Sequence, residues 1–360
     1  METDANLPPE RRKGRGVASN RSGRFERFER VGFSDGWEID EPLPPLRTEV
    51  REEVAKTIIT RNTSPDIPFD RSINPYRGCE HGCVYCFARP SHAYLGLSPG
   101  LDFETRLTAK PNALTLLEAE LRNPRYRPKV IAIGTNTDPY QPIEKDRRLM
   151  RGILEVLQAF QHPVGVVTKG TLVERDADIL GAMGQAGLAR VGVSVTTLDA
   201  DLARKMEPRV PSPARRLRAI ETLSKAGCPV RVMVSPIVPG LTDHEVEAIL
   251  RAARDAGAVA ATSIALRLPR EVAPLWRDWL AEHYPARINR VMEKIRHMHG
   301  GRDYESDWGK RMTGEGLYAD LIQKRFVRAR RALGLDARLP PLRTDLFQPP
   351  AKAGDQLNLF

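Results

Sequence analysis

Three cysteines stand close together in the sequence, Cys79, Cys83 and Cys86, in the pattern C-x3-C-x2-C. Thiolates are the ligands that iron–sulfur clusters prefer, and three of them on so short a loop can converge on one centre. A four-iron cluster needs four ligands, and no fourth cysteine lies nearby. The spacing therefore predicts a 4Fe–4S cluster with one iron open to a ligand that is not protein. Gly78 and Gly82 would let the backbone pass closely round a bulky cofactor.

A structural zinc site is the alternative use of these thiols, with His81 or His92 as the fourth ligand. Structural zinc sites usually combine one C-x2-C pair with a second pair some distance away. The sequence contains no second pair. We therefore expect iron rather than zinc.

The cysteine pattern, with an aromatic residue before its last member, resembles the cluster motif of the radical S-adenosylmethionine (radical SAM) superfamily. The preceding run, Ser72-Ile73-Asn74-Pro75-Tyr76-Arg77-Gly78, is similar to the branch related to spore photoproduct lyase. This resemblance implies that the open iron binds the amino and carboxylate groups of S-adenosylmethionine. It also implies an external electron donor, which reduces the cluster so that the cofactor splits to a 5′-deoxyadenosyl radical. The reaction that follows stays open, and a lyase reaction of the spore photoproduct type is one candidate.

The composition indicates one large domain with extensions. The chain has 360 residues, of which 41% are hydrophobic, enough for a sizeable core. No apolar run approaches the roughly 18 residues of a membrane span, and the polar N-terminus is no secretory signal. With only four cysteines, three in one loop, the chain fits a reducing cytoplasm better than a disulfide framework. The net charge of +10 is consistent with a polyanionic partner.

From about residue 57, short β-branched runs alternate with longer amphipathic runs. Strands are predicted at Phe69–Ile73, Val130–Ile133, Val164–Thr168, Val191–Val195, Val230–Val234 and Ala261–Leu266. Helices are predicted near 111–122, 144–160, 172–186, 213–226 and 243–256. This alternation predicts an α/β fold with a parallel sheet. Six such units agree with the partial (βα)6 TIM-like barrel of the radical SAM superfamily, whose chemistry lies at the carboxyl ends of the strands.

The sequence divides into four predicted parts. Residues 1–56 read as a disordered basic arm and linker, because arginines lie among glycine and serine with little apolar surface to bury. Residues 57–268 form the barrel, and 269–335 form a helical C-terminal extension. Residues 336–360 are predicted to be a flexible tail.

Polar residues that follow the predicted strands are candidates for cofactor binding, as the resemblance implies. Thr135, Asn136 and Asp138 lie where the family binds the amino group of the cofactor, although an Asx turn before Pro139 is the alternative for Asp138. Ser194 lies where the family contacts ribose, and the backbone at Ser235 could flank adenine. The remaining candidates, for packing against adenine, are the aromatic residues Tyr85 and Phe87.

Cys228 is the fourth cysteine of the chain. Spore photoproduct lyase uses a cysteine outside the cluster loop as a hydrogen-atom donor. Cys228, however, is predicted at the start of a strand, on the barrel face opposite the chemistry, and cysteine is often buried. We interpret it as a core residue, which leaves chemistry of the photoproduct type in doubt.

The last stretch of the sequence, Gln356-Leu357-Asn358-Leu359-Phe360, resembles the bacterial sliding-clamp-binding pentapeptide Q-L-x-L-F. In such a motif Leu359 and Phe360 fill an apolar pocket while Gln356 fixes the register, with Leu357 completing the match. A basic helix predicted at 315–333 and the basic arm could contact nucleic acid, or could be solvated surfaces.

Three functions remain open from the sequence. The first is a radical SAM enzyme that acts on DNA, in repair or modification, and is recruited by the sliding clamp. The second is a radical SAM enzyme that acts on RNA or protein. The third is a non-catalytic, metal-bearing protein that binds nucleic acid.

Overall fold

A computed structural model describes residues 7–28 and 44–351 of the chain. The strands in this part are β1 (Glu49–Glu52), β2 (Ile59–Arg61), β3 (Arg71–Ile73), β4 (Tyr76–Arg77), β5 (Arg106–Ala109), β6 (Ile131–Ile133), β7 (Val164–Thr168), β8 (Ala189–Ser194), β9 (Val230–Ile237) and β10 (Ala260–Ala265). The α-helices are α1 (Asp102–Thr105), α2 (Ala113–Leu121), α3 (Glu144–Arg147), α4 (Leu149–Ala159), α5 (Ala177–Gln185), α6 (Ala200–Met206), α7 (Pro213–Lys225), α8 (Val246–Asp255), α9 (Val272–His283), α10 (Ile288–Met298) and α11 (Leu317–Ala332).

The main sheet has seven strands in the order β10-β9-β8-β7-β6-β3-β2. Every neighbouring pair from β3 to β10 is parallel, and only the edge strand β2 runs antiparallel to its neighbour β3. In the register of the sheet, Val166 lies opposite both Ile133 and Val191. Parallel strands joined by helices place all their carboxyl ends at one edge of the sheet. A second, three-stranded sheet has the order β1-β5-β4.

The main core lies between the sheet and the helices that connect its strands. Helix α8 illustrates the pattern, because Val246, Ile249, Leu250 and Ala253 recur at helical spacing and are all buried. The strands contribute β-branched residues such as Val164, Val191 and Val230 to the same core.

The predicted α/β barrel architecture is confirmed. Each of the six predicted strands is present, with bounds that differ by up to three residues at either end. The helix predicted over 144–160 is divided into α3 and α4, because Arg148 between them takes a left-handed backbone conformation with φ of 52°. The basic helix predicted near 315–333 is α11.

The N-terminal segment differs from the predicted disordered arm wherever the structure describes it. Within residues 7–28, Arg15, Val17 and Ser19 are buried. Arg15 donates hydrogen bonds to the carbonyl oxygens of Glu104 (3.0 Å) and Leu46 (2.9 Å). Specific hydrogen bonds and one buried valine order this segment despite its polar composition.

The segment after α11 also differs from the predicted flexible tail. Phe347 packs against the rings of Phe160 and Tyr126, with centroid distances of 6.3 and 5.6 Å. The backbone N–H of Gln348 donates to Phe160 O (3.1 Å), and the Arg122 guanidinium donates to Pro350 O (2.8 Å). Packing of one partly buried aromatic ring and these two hydrogen bonds therefore hold the chain in place up to Pro350. The pentapeptide at 356–360 lies outside the described residues.

None of the helices formed by residues 7–28 and 44–351 combines the length and the apolar character that crossing a membrane requires.

Candidate active site

The three cysteines lie on a loop that follows β4, at the carboxyl side of the barrel strand β3. Cys79 and Cys83 are buried and Cys86 is partly buried. Backbone hydrogen bonds from Gly82 N to Cys79 O (3.4 Å) and from Cys86 N to Cys83 O (3.2 Å) make two successive turns. Burial, and then the nearby Cys79 thiolate, raise the pKa of Cys86 to about 11.

Glycine is required at two positions of this loop. Gly78 and Gly82 have φ values of 75° and 67°, in the left-handed region. A Cβ on Gly82 would lie 2.6 Å from Glu104 Oε2, and a Cβ on Gly78 would lie 2.9 Å from His92 Cε1. Both glycines therefore serve the close packing of the loop itself.

Three cysteine thiolates on one loop are a donor set that suits a four-iron cluster. In the described part of the chain, no three His, Cys, Asp or Glu side chains are gathered closely enough to hold one ion. A cluster binds each thiolate through a different iron, so its ligands stand further apart than those of one zinc ion. Of the two histidines of the zinc alternative, His81 faces Asp138 at 3.3 Å and also contacts the Cys79 thiol, and His92 Nε2 faces Arg106 O at 2.9 Å.

Asp138 joins the loop after β6 to the cluster loop and to the end of β7. Its Oδ1 accepts from Thr168 Oγ1 (2.6 Å) and from Tyr140 N (2.9 Å), and its Oδ2 accepts from Lys169 N (2.7 Å). The bond to Tyr140 N is an Asx turn, so the structural alternative for Asp138 is present. Burial opposes ionisation, but His81 and these donors hold the pKa of Asp138 below its usual value. Burial likewise disfavours the charge of His81, yet Asp138 and Cys79 raise its pKa to about 10.

A buried charge network lies beside the cluster loop, centred on Glu207. Its carboxylate accepts from Arg216 Nη2 (2.5 Å), Thr196 Oγ1 (2.8 Å) and Lys169 Nζ (3.1 Å), and also from the hydroxyl of Tyr85. Burial disfavours the ionised form, but the cations Arg216 and Lys169 hold the pKa of Glu207 well below its usual range. The network fixes the Tyr85 ring, which directly precedes Cys86, against the carboxyl ends of β7 and β8.

The structure brings most of the predicted cofactor residues to this edge of the sheet. Thr135 and Asn136 lie on the loop after β6, and Ser194 is the last residue of β8. Ser235 lies in β9, and its buried hydroxyl has no partner among the described residues. An unsatisfied hydroxyl at the carboxyl end of a barrel strand fits a site that receives a polar ligand.

The two aromatic candidates have different surroundings. Tyr85 is buried in the network described above. Phe87 is 45% exposed and carries the Arg267 guanidinium over its ring, 4.9 Å from the ring centroid. Their packing against adenine stays a prediction.

Cys228 is buried directly before β9, in the main core and at the amino end of the strand. Burial raises the pKa of its thiol to about 12. The position agrees with the interpretation of Cys228 as a core residue, remote from the strand ends that carry the cluster loop.

Sequence reasoning missed Arg89, Glu104 and Gln141, which hold the cluster loop. Gln141 accepts from Glu80 N (2.8 Å) and donates to Gly78 O (3.2 Å). Arg89 and Glu104 form a fully buried ion pair of 2.6 Å. Arg89 stands three residues after the last cysteine, and this closeness is the one local sign that it belongs to the cluster loop. Nothing local in the sequence indicates that Glu104 is its partner.

A partial parallel barrel with a three-thiolate loop at its carboxyl edge defines the class of protein. The model of the radical SAM superfamily matches residues 73–253. The chain therefore belongs to the radical SAM superfamily and is an enzyme that uses a 4Fe–4S cluster and S-adenosylmethionine.

Relatives and solved structures extend the comparison. An uncharacterized protein of Mycobacterium tuberculosis is 40% identical over 232 residues, which is 64% of this chain and 68% of the relative. An uncharacterized protein of Methanocaldococcus jannaschii is 30% identical over 173 residues, 48% of this chain and 62% of the relative. Spore photoproduct lyase complexed with dinucleoside spore photoproduct has a TM-score of 0.56 at 16% identity, covering 79% of each chain. At that identity the likeness is one of fold.

Proposed function

We propose that this radical SAM enzyme acts on DNA, and that the pentapeptide at 356–360 recruits it to the bacterial sliding clamp. The observation that carries the DNA assignment is a stripe of exposed cations on α11, formed by Lys324, Arg328 and Arg331, which have no carboxylate partner among the described residues. A DNA substrate and a clamp partner would place the enzyme in the bacterial cytoplasm.

The cationic stripe lies along one face of α11. Lys324, Arg328 and Arg331 are spaced four and then three residues apart, so their side chains neighbour one another. All three are exposed, and within residues 7–28 and 44–351 none is within ion-pair distance of a carboxylate. Together with Gln323, Val327 and Ala332 they line an open groove of about 500 Å³.

The other arginines of the same helix have partners that remove them from the stripe. Arg325 makes a bidentate pair with Glu247, at 2.8 and 2.6 Å. Arg330 lies over the ring of Phe326, 5.8 Å from its centroid. Among the described residues, the three cations of α11 that have neither a carboxylate nor a ring as partner thus share a face, which is the arrangement that follows a line of phosphates.

The likeness to spore photoproduct lyase, with its dinucleoside ligand, supports the same substrate class. The chemistry that the cofactor supplies when bound is the reductive cleavage of S-adenosylmethionine. The residues of this chain would then bind and orient: Ser194 and Ser235 offer polar groups at the strand ends, and the Glu207 network fixes Tyr85 beside the thiols. The bond attacked in the substrate is left open.

A salt titration of DNA binding tests the substrate class. Replacing Lys324, Arg328 and Arg331 together by Ala should weaken binding to duplex DNA. It should also make the slope of the logarithm of the binding constant against the logarithm of the salt concentration shallower by about three, one for each lost phosphate contact. The matched control replaces three exposed cations on α7 and α8, Arg218, Lys225 and Arg254, which carry the same net charge. Equal binding by the two triple variants would refute the stripe as a DNA contact, and tighter binding of RNA than of DNA would favour the second function.

A clamp-binding measurement tests recruitment separately. Replacing Leu359 and Phe360 by Ala should remove pocket-filling groups worth about 2 kcal/mol or more each, and so abolish micromolar binding. The matched control is Asn358→Ala, at the unspecified position of the motif, which should bind like the wild type. If all three proteins bind the clamp equally in calorimetry, or none binds, the recruitment proposal fails while the DNA proposal stands on its own test.

A further inference from the structure

The outer side of the cluster loop is covered by an N-terminal segment that lies far from it in sequence. Residues 14–20, which we call the clasp, contact the loop and the chain around α1. Within the clasp, Val17 is buried in the same apolar cluster as Cys83 and Tyr85. Ser19 O accepts from Leu101 N at 3.1 Å, and Asn20 exchanges two hydrogen bonds with Asp102, at 2.9 and 3.0 Å.

Glu104 connects the clasp to the cluster loop through its two carboxylate oxygens. Oε2 accepts from the backbone amide of Gly16 at 2.8 Å, and Oε1 accepts from Arg89 Nη2 at 2.6 Å. Both Glu104 and Arg89 are fully buried. One carboxylate oxygen of Glu104 therefore binds the clasp, and the other binds the arginine that holds the cluster loop.

Arg89 in turn holds the backbone of the loop. Its Nε donates to Cys83 O (3.0 Å) and its Nη2 donates to Gly82 O (3.3 Å). Its Nη1 donates to the carbonyls of Pro99 (3.2 Å) and Gly100 (3.0 Å), so that every nitrogen of the guanidinium is engaged. A planar guanidinium fully satisfied in this way has one orientation, and the carbonyls it binds are fixed with it.

The backbones of the clasp and the loop are in direct contact. A Cβ on Gly16 would lie 1.7 Å from Gly82 O, inside any permitted contact distance. Gly14, two residues earlier, has open space around it, with nothing within 4 Å of a Cβ placed there. The requirement for glycine at 16 is thus set by the cluster loop, between two of its thiolate ligands.

We propose that the clasp is part of the cofactor site, and that Gly16, Glu104 and Arg89 are positioning residues that fix the cluster loop from its outer side. The clasp excludes water from the outer face of the loop and holds Gly82 and Cys83 in the conformation that presents the thiolates. This role depends only on the radical SAM cofactor and is independent of the DNA and clamp proposals.

The test compares Gly16→Ala with Gly14→Asn in the full chain, each reconstituted anaerobically with iron and sulfide. Asn tolerates the left-handed conformation of Gly14, whose φ is 73°, so this control changes the clasp without touching the loop. Gly16→Ala should bleach in air about tenfold faster than the wild type, the change that 1.4 kcal/mol in the docking equilibrium gives. Gly14→Asn should bleach at the wild-type rate.

Urea unfolding of the iron-free proteins separates positioning from general stability. The proposal expects the bleaching rate of Gly16→Ala to rise by more than any fall in its unfolding midpoint relative to Gly14→Asn accounts for. Glu104→Gln should also accelerate bleaching. The double variant with Gly16→Ala should bleach little faster than either single variant, because both substitutions disturb the same contact between the clasp and the cluster loop. Wild-type bleaching in Gly16→Ala, or a rise fully matched by lost stability of the iron-free protein, would overturn the proposal.

Discussion

Glu207→Gln is the substitution that most directly tests the buried network beside the cluster loop. Glutamine keeps the size and the acceptor oxygen of the side chain but removes its charge. The change leaves Arg216, whose side chain is 1% exposed, and Lys169, 15% exposed, without their shared counter-charge. Two cations 2.5 and 3.1 Å from the former carboxylate would then be buried and uncompensated.

The magnitude follows from burial. Breaking a buried ion pair by removing one partner costs about 3–5 kcal/mol, because the remaining charge stays desolvated. The whole free energy of unfolding of a domain is about 5–15 kcal/mol. Glu207→Gln should therefore remove a large part of the free energy of unfolding.

Urea unfolding of the cluster-loaded protein under anaerobic conditions measures this cost as a lower midpoint at an unchanged slope. The matched control is Glu221→Gln, in the exposed helix pair with Lys225, whose side chains are 49% and 74% exposed. An exposed pair is worth at most about 1 kcal/mol. If the two Gln variants lose the same stability within 1 kcal/mol, the reasoning about the network is refuted.

Two further predictions concern the cofactor and acid sensitivity. Replacing Cys79, Cys83 or Cys86 by Ala should abolish the iron content and brown chromophore, whereas Cys228→Ala should keep both; stoichiometric zinc without iron would contradict the assignment. Burial lowers the pKa of His162 from 6.5 to about 4. On acidification the unfolded chain therefore binds this proton before the folded protein does. The free energy of unfolding should fall by up to roughly 3 kcal/mol as the pH drops from 6.5 to 4. In acid unfolding, His162→Asn should lack this loss, while exposed His244→Asn should retain it.

The elements that the sequence predicts well are those whose signal is local. The strand Val164–Thr168 and helix α7 have the predicted bounds almost to the residue, because β-branched runs and amphipathic periods are read within the element itself. The cysteine loop is equally local, since all three ligands lie within eight residues.

What could not be predicted depends on contacts between distant parts of the chain. Residues 14–20 are polar and glycine-containing, so composition indicates disorder, yet Glu104 and Gly82 give them partners. In the sequence, Glu207 is one acidic residue among several arginines. Its position at the centre of the buried charge network depends on the packing of the end of α6 against the carboxyl ends of β7 and β8. Asp138 lies at the strand ends, but its oxygens already accept from donors within the protein, so its binding of the cofactor amino group stays a prediction.

Buried charge at the cluster loop has a consistent physical logic. The ion pairs Arg89–Glu104 and Arg216–Glu207 are both fully buried, and apolar side chains of similar volume would often be at least as stabilising. Apolar side chains could not, however, fix a backbone carbonyl or a tyrosine hydroxyl in one orientation, which requires directional donors and acceptors. Arg89 of one pair holds the carbonyls of Gly82 and Cys83, and Glu207 of the other holds the hydroxyl of Tyr85, so the two pairs fix different parts of the cluster loop. These charges therefore cost stability relative to apolar side chains of similar volume, and what they provide is the fixed geometry of the loop that carries the thiolates.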